Sequence, residues 1–548
     1  MSPVSPASTR LKSASSSFPP PALTGGQAVS LRADLAEAGW GVEAVAALLG
    51  RAATDALHRE IRLPALRAAR AALADRAEVS AVAVLTALFM LGEPVPAAAL
   101  DAVLPHTGAA GARQIGLVGQ VDETGRVRAR VDLRPHEAVD DAGEVRWWVA
   151  SDLGELVTGR PLAPDHVLGI GGAGLTLAGL TPRTPVRTAL DLGCGCGIQT
   201  LYLLRHAEHV VATDISARAL AFTAFNAALA GVSLTAELGS DADSAAGTGR
   251  LELRQGSLLE SVAGRRFDLI ASNPPFVLTP PAVREAGLPL MEYRDAGGPV
   301  LPALVAGLGE HLEPGGSAVM LGNWEHRSGA GGSSWRDAVG SWIPKNLDAW
   351  VIEREVQDPV EYATMWLRDG GLTPERDADG FDAALEAWID DFEAHGIEGI
   401  GFGYLIVHRP VCRRRPWRVM EEVATSGEGV LGPHVSAVVA AQDRLAGLDD
   451  DAVAALRPVL APDVTEERHL VPGAGEPTLI LLRQGGGLGR STQATTAVAA
   501  LAGVADGELS VEQIASAVAA LTGVDALALR GELVDATRRL LAVGMLVL

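Results

Sequence analysis

Between residue 186 and residue 408 the chain alternates short apolar runs with stretches in which apolar residues recur three and four apart. The runs TALDLG, HVVATDI, FDLIASN, SAVMLGN, DAWVIERE and GFGYLIVH, with LELRQ between the second and third, read as strands. The periodic stretches between them read as helices. Strands and helices in alternation predict an α/β unit, a mostly parallel sheet covered by helices on both faces, because parallel strands need crossover connections. Between the last two runs, residues 358–395 show helical periodicity in YATMWLRD and FDAALEAWIDDFEAHG. They predict a helical insertion with Trp366 and Trp388 in its core, a reading preferred to a substrate lid.

The flanks carry a different pattern. Residues 1–26, rich in Ser and Pro and without an apolar core segment, predict a disordered tail rather than an export signal. Residues 27–160 begin with helical periodicity, continue through the apolar run VSAVAVLTALFML as a buried helix, and end in two alternating stretches around DDAG. That order resembles a winged helix. Its second helix, VPAAALDAVLP, has no Lys or Arg for a phosphate backbone, so a docking or structural role is expected. Residues 411–423 read as a basic interdomain linker containing most of RPVCRRRPWR. Residues 424–548 read as a helical, winged-helix-like domain whose last segment is helix, turn, helix and short strand. QGGGLGRST lacks the Lys of a phosphate-binding loop and reads as a turn. The α/β unit between the flanks is placed at residues 161–410.

Composition narrows the functional classes. The 548 residues carry a net charge of −22, a surface that repels phosphate backbones unless a local basic patch overrides it. Three cysteines cannot form a disulfide framework, which points to a reducing, cytoplasmic setting. The longest apolar run is too short to span a bilayer. Cys194 and Cys196 have no accompanying His or Cys cluster, so they read as loop residues and no metal is expected.

The chemistry concentrates at three strand ends. The first strand runs through Asp191 into Gly193, Gly195 and Gly197, a G-x-G-x-G turn that opens a helix and lets main chain approach a ligand. The second ends in Asp214 and Ile215. A carboxylate there can accept from two ribose hydroxyls or cap the next helix, as Ser216 equally can. The strand FDLIASN ends in Asn273, Pro274, Pro275 and Phe276. Prolines stop the ladder, and the Asn273 and Pro274 carbonyls can accept both hydrogens of one planar NH2 group while Phe276 stacks on it.

DLGCGCG with NPPF resembles the class I S-adenosylmethionine-dependent N-methyltransferases of the HemK/PrmC and methyltransferase small domain type. Further likeness lies in ALAFTAFNAALAGV and EYRDAGGPVLPALVAGLGEHLEPGGSAVM. The resemblance implies a Rossmann-like, seven-stranded domain that binds S-adenosylmethionine through Asp191, Gly193, Gly195, Gly197, Asp214, Ile215 and Asn273. It implies catalytic roles for Asn273, Pro274, Pro275 and Phe276. Two departures stand out: HemK-type enzymes usually carry NPPY, and Ser257 occupies a position where an acid often meets the adenine amino group, so that Ser257 is expected to bind the cofactor as the substitute acceptor. The segment GIGGAGLTLAGL looks like the family's stretch before the first strand, able to close over the cofactor, or a plain loop.

The expected reaction is methyl transfer to a planar NH2, an exocyclic base amine of RNA or DNA or a glutamine amide of a protein. A macromolecular acceptor is preferred to a small molecule. The competing readings are a cofactor-binding scaffold with docking domains on both sides, and an NAD-dependent oxidoreductase, which the missing G-x-G-x-x-G disfavours.

Overall fold

In six of the seven runs predicted as strands, all but the edge run LELRQ, successive side chains enter different cores, the period-two signature of a sheet buried on both faces. In the computed structural model, which describes residues 18–74, 80–140, 142–160, 162–234, 249–285, 300–328 and 334–548, the seven runs form β1 (Val186–Leu192), β2 (Ala207–Asp214), β3 (Leu251–Gln255), β4 (Phe267–Ser272), β5 (Leu312–Arg327), β6 (Asp348–Gln357) and β7 (Ile397–His408). Leu190, Val211, Ile270 and Met320 pack with the helices on one face, and Ala189, Ala212, Ala271 and Val319 belong to the core on the other.

An eighth strand, β8 (Arg418–Glu422), pairs parallel with β6 and extends the sheet to the order β8-β6-β7-β5-β4-β1-β2-β3. The expected seven strands are therefore eight, and the added one lies within residues read as a linker. Its anchor is Arg414, whose guanidinium donates to both oxygens of the fully buried Asp348 at 2.8 and 2.5 Å and also pairs with Asp443. Pattern reading missed this strand because RVMEE is short and follows four arginines in the nine preceding residues. Only β7 runs antiparallel to its neighbours. The chain leaves β1 outward to β2 and β3, then returns to β4 on the other side of β1. That reversal opens a crevice beyond the carboxyl ends of β1 and β4, where open α/β sheets bind ligands.

The first two crossovers carry α2 (Ile198–Leu203) and α3 (Ala217–Leu229), and GIGGAGLTLAGL supplies α1 (Gly172–Leu180) just before β1. The other face is covered by α4 (Val300–His311) and α5 (Trp335–Trp342). Residues 292–299 of the HemK-like run lie outside the described residues. Between β6 and β7 stand α6 (Pro359–Asp369) and α7 (Ala378–Ala394), packed as an antiparallel pair. Trp388 is buried between them, and Trp366 is half-buried.

The amino-terminal region shares one continuous core with the central domain. It consists of helices followed by the antiparallel hairpin Asp132–Asp140/Gly143–Ser151. The first helix, Gly25–Glu37, begins inside the expected tail, because Thr24 and Gln27 form a reciprocal capping box. Residues 1–17 of that tail lie outside the described residues. Residues 81–90 are buried and helical, closing with a π-helical turn in which Thr86 accepts from the Trp40 indole at 3.1 Å. Beyond β8, α8 (Gly432–Leu445) leads to a small three-stranded sheet and to α9 (Val511–Thr522) and α10 (Ala526–Ala542) around a second core. The expected helix, turn and helix over the last segment is one helix, since Gly531 costs too little to break a helix whose other face is buried. Neither flank is established as a winged helix.

Candidate functional site

The loop after β1 takes the shape its glycines permit. Gly193, Gly195 and Gly197 have φ of +80°, +54° and +84°, a region side chains rarely enter. A Cβ on Gly193 or Gly195 would meet open space, whereas one on Gly197 would strike Thr223, including its backbone, at 2.9–3.1 Å. Gly197 thus serves close packing of the loop on α3, and the first two present bare main chain to the crevice. The amides of Gly193 and Cys194 both donate to the Thr213 carbonyl on β2, at 2.9 and 3.0 Å. Cys194 and Cys196 are buried in this turn, and burial pushes the Cys196 thiol up to about 11.

Two carboxylates flank the loop. Asp191 is buried on β1 and accepts from Thr200 Oγ1 at 2.5 Å. Burial, with the nearby charge of Asp214, outweighs that bond and pushes Asp191 up to about 7. Asp214 accepts from the Gly195 amide at 3.0 Å and the Ser216 amide at 2.9 Å, and burial raises it too. The cap of α3 is Ser216, which accepts from Ala219, while Asp214 holds the glycine loop through the Gly195 amide. Ile215 follows it, 59% exposed. Ser257 is exposed at the start of the short 3-10 helix Leu258–Val262 and makes no side-chain cap.

Asn273 lies next to this loop because β1 and β4 pair, Asp191 with Ala271 and Leu192 with Ser272. Ser272 Oγ donates to the Leu192 carbonyl at 2.8 Å and ties the two strand ends together. Asn273 Oδ1 is buried and has no hydrogen-bond partner among the described residues. An unmade bond to a buried carbonyl costs about 1–3 kcal/mol, so the atom fits a donor that arrives with a ligand. Pro274 is buried, and Phe276 meets Trp366 of α6 and Phe402 of β7 edge-on, with centroids 6.4 Å apart in both pairs.

The structure adds residues that sequence reasoning did not single out. Thr200 holds Asp191, and Thr223 donates to the Gly195 carbonyl at 3.0 Å. Asn226 donates to the Cys196 carbonyl at 2.7 Å while bonding both the amide and the carbonyl of Ala150 in the amino-terminal hairpin. Tyr362 accepts from the Leu278 amide at 2.9 Å and from Asn323 Nδ2 at 2.8 Å. Polar residues within the apolar helical pattern of α2 and α3 were a usable signal for the first three. Tyr362 gave none. Among the described residues one grouping has metal-ligand chemistry, Asp348, His408 and Asp443, and Arg414 occupies its two carboxylates at the opposite sheet edge.

The crevice and its glycine loop coincide with a family match: residues 171–286 fit the model of the methyltransferase small domain. Over these residues the central domain is similar to the class I S-adenosylmethionine-dependent methyltransferases. Among curated relatives, a release factor glutamine methyltransferase of Xylella fastidiosa is 36% identical over 148 residues, 25% of this chain and 48% of that protein. One of Cereibacter sphaeroides is 37% identical over 158 residues, 27% of this chain and 51% of that protein. The chain therefore spans about half the length of the curated relatives it matches. A ribosomal protein L11 methylase from Lactobacillus delbrueckii is 24% identical, covers 29% of this chain and 64% of its own, and has a TM-score of 0.20. Residues 37–130 fit a domain of unknown function (DUF7059).

Proposed function

We propose that this protein transfers a methyl group from S-adenosylmethionine to a planar NH2 nitrogen, with a protein glutamine amide as the favoured acceptor. The observation that carries this reading is the buried, unpartnered Asn273 Oδ1 beside a glycine loop with open space over Gly193 and Gly195. The glutamine preference draws on the two relatives named glutamine methyltransferases. Asp191, Gly193, Gly195, Asp214 and Ile215 would hold the cofactor, with Ser257 at the adenine end and Gly197 keeping the loop packed on α3. The cofactor supplies an electrophilic sulfonium methyl.

The remaining work falls to the chain's own groups. An amide nitrogen is a poor nucleophile because its lone pair is delocalised. Acceptance of both N–H bonds, by Asn273 Oδ1 and the Pro274 carbonyl, favours a pyramidal nitrogen whose lone pair points along the transfer axis. Pro274 and Pro275 keep those carbonyls from turning, and Phe276 covers one face of the acceptor. The aromatic wall of Phe276, Trp366 and Phe402 limits the acceptor to a flat group.

Asn273→Ala is expected to lower turnover by two orders of magnitude or more and to leave cofactor affinity within about threefold of wild type, read by isothermal titration. The acceptor class is read by incubating labelled cofactor with fractionated extract and treating the product with protease or nuclease. Label released by protease alone supports the glutamine reading; label released by nuclease replaces it with a base amine. Cofactor binding without any transfer would leave a scaffold in place of an enzyme.

A further inference from the structure

The five arginines of residues 409–418 do not act alike. Arg409 donates to the carbonyls of Gly309 and Leu312, Arg418 to those of Gly340, Ile343 and Pro344, and Arg414 pairs with Asp348 and Asp443. These three hold the fold. Arg413 and Arg415 are exposed and have no carboxylate partner among the described residues.

Arg415 opens onto a cleft of about 480 Å³ between the segment before β8 and the carboxy-terminal helices. Pro416, Trp417, Gln442, Arg538 and Arg539 also line it. Arg538 is committed to Asp450 at 2.9 Å, whereas Arg539 is exposed and has no carboxylate partner among the described residues. No acidic residue lines the cleft. The Trp417 ring is half-buried and packs against the core beside the cleft. Two guanidiniums without a carboxylate partner among the described residues and the amide of Gln442 are able to donate to one anionic, oxygen-rich ligand.

We propose that this cleft binds the phosphate backbone of a single-stranded nucleic acid, seating one or two nucleotides. Guanidinium forks match phosphate oxygens bidentately, and an aromatic ring beside them suits an unpaired base. The volume is far larger than a lone phosphate needs and falls in the range of nucleotide-sized sites. The net charge of −22 does not oppose this, since at 0.1 M salt charges beyond about 10 Å are screened. The cleft lies at the start of β6 and β8, the edge of the sheet opposite the glycine loop. The length of a seven-residue strand, roughly 20 Å, and up to five strand spacings of about 4.8 Å across the sheet separate the two. The site is therefore an anchor, independent of the acceptor that enters beside Asn273.

The test is fluorescence anisotropy of the full chain with a labelled ten-nucleotide RNA from 50 to 200 mM salt, without cofactor. Saturable binding is expected, with a log–log salt slope near −1.4 for about two neutralised phosphates. Arg415→Glu with Arg539→Glu should weaken it tenfold or more, while the circular dichroism spectrum and thermal melt stay those of wild type. Mononucleotide should compete only at concentrations a hundredfold or more higher. No saturable binding, binding unchanged in the double variant, or equal displacement by poly-glutamate would each overturn the proposal. Because no methyl transfer is read, these results are separate from those that decide the enzymatic reading.

Discussion

The two flanking glycines of the loop make opposite demands. Gly193→Ala places a methyl group in open space at φ +80°, so the backbone strain of about 1–2 kcal/mol falls on a loop with nothing behind it. We expect a small loss of thermal stability and at least a tenfold loss of cofactor affinity, because the methyl occupies the crevice. Gly197→Ala adds a collision with Thr223 to the same strain, and its melting temperature should fall clearly further in the same assay. Asp191 makes a pH prediction. Its pKa is raised to about 7 in the folded chain and lies near the usual carboxylate value in the unfolded one, so the native state holds the proton more tightly. Stability from this group is fully present below about pH 4 and is lost as pH rises through 7, at up to 1.4 kcal/mol per unit. The ligand-free chain should therefore melt lower at pH 8 than at pH 6 by more than Asp191→Asn does. Equal slopes for the two would remove the carboxyl from this account.

At the scale of elements, the pair α6 and α7 is more than a surface excursion. Val277 and Val283, from the segment after NPPF, belong to the same small core as Tyr362, Trp388 and Phe392. The Tyr362 hydroxyl accepts from the Leu278 amide and from Asn323, and so ties the loop, α6 and β5 together. Burial raises its pKa far above the ordinary phenol value, so it remains a neutral hydroxyl across the working range. Tyr362→Phe leaves a backbone N–H and a side-chain amide without their acceptor, a cost of about 2–3 kcal/mol. The expected readout is a lower melting temperature and a lower kcat with cofactor affinity retained, since the Asn273 loop is loosened while the glycine loop is untouched. Sequence periodicity predicts both helices of the insertion and the burial of Trp388. It gives no sign that Trp366 meets Phe276, because that contact joins residues 90 positions apart.

In the whole molecule one buried side chain bonds to both the amino-terminal hairpin and the glycine loop. Asn226 satisfies the amide and the carbonyl of Ala150 and also the carbonyl of Cys196, all buried. Arg218 reinforces the joint by pairing with the buried Asp152. Asn226→Ala removes three bonds at once and should cost about 3 kcal/mol or more. It should weaken cofactor binding although residue 226 is not placed against the cofactor. Titration calorimetry beside a thermal melt checks both, and unchanged affinity would show the two regions to be energetically separate.

The sequence alone determined the seven core strands, their α/β order, the glycine loop, the carboxylates at residues 191 and 214, and the NPPF loop. Each is written in local chemistry: period-two apolar runs, glycines where φ must be positive, prolines where a ladder must stop. Only the tertiary structure decided that β8 joins the sheet, that Arg414 is an internal ion pair while Arg415 has no carboxylate partner among the described residues, and that the last segment is one helix. It also decided that Thr200, Thr223, Asn226 and Tyr362 support the site. These features depend on partners tens to hundreds of residues away. A short strand after an arginine run, or a polar residue in an apolar helix, acquires its meaning when folding brings its partner to it.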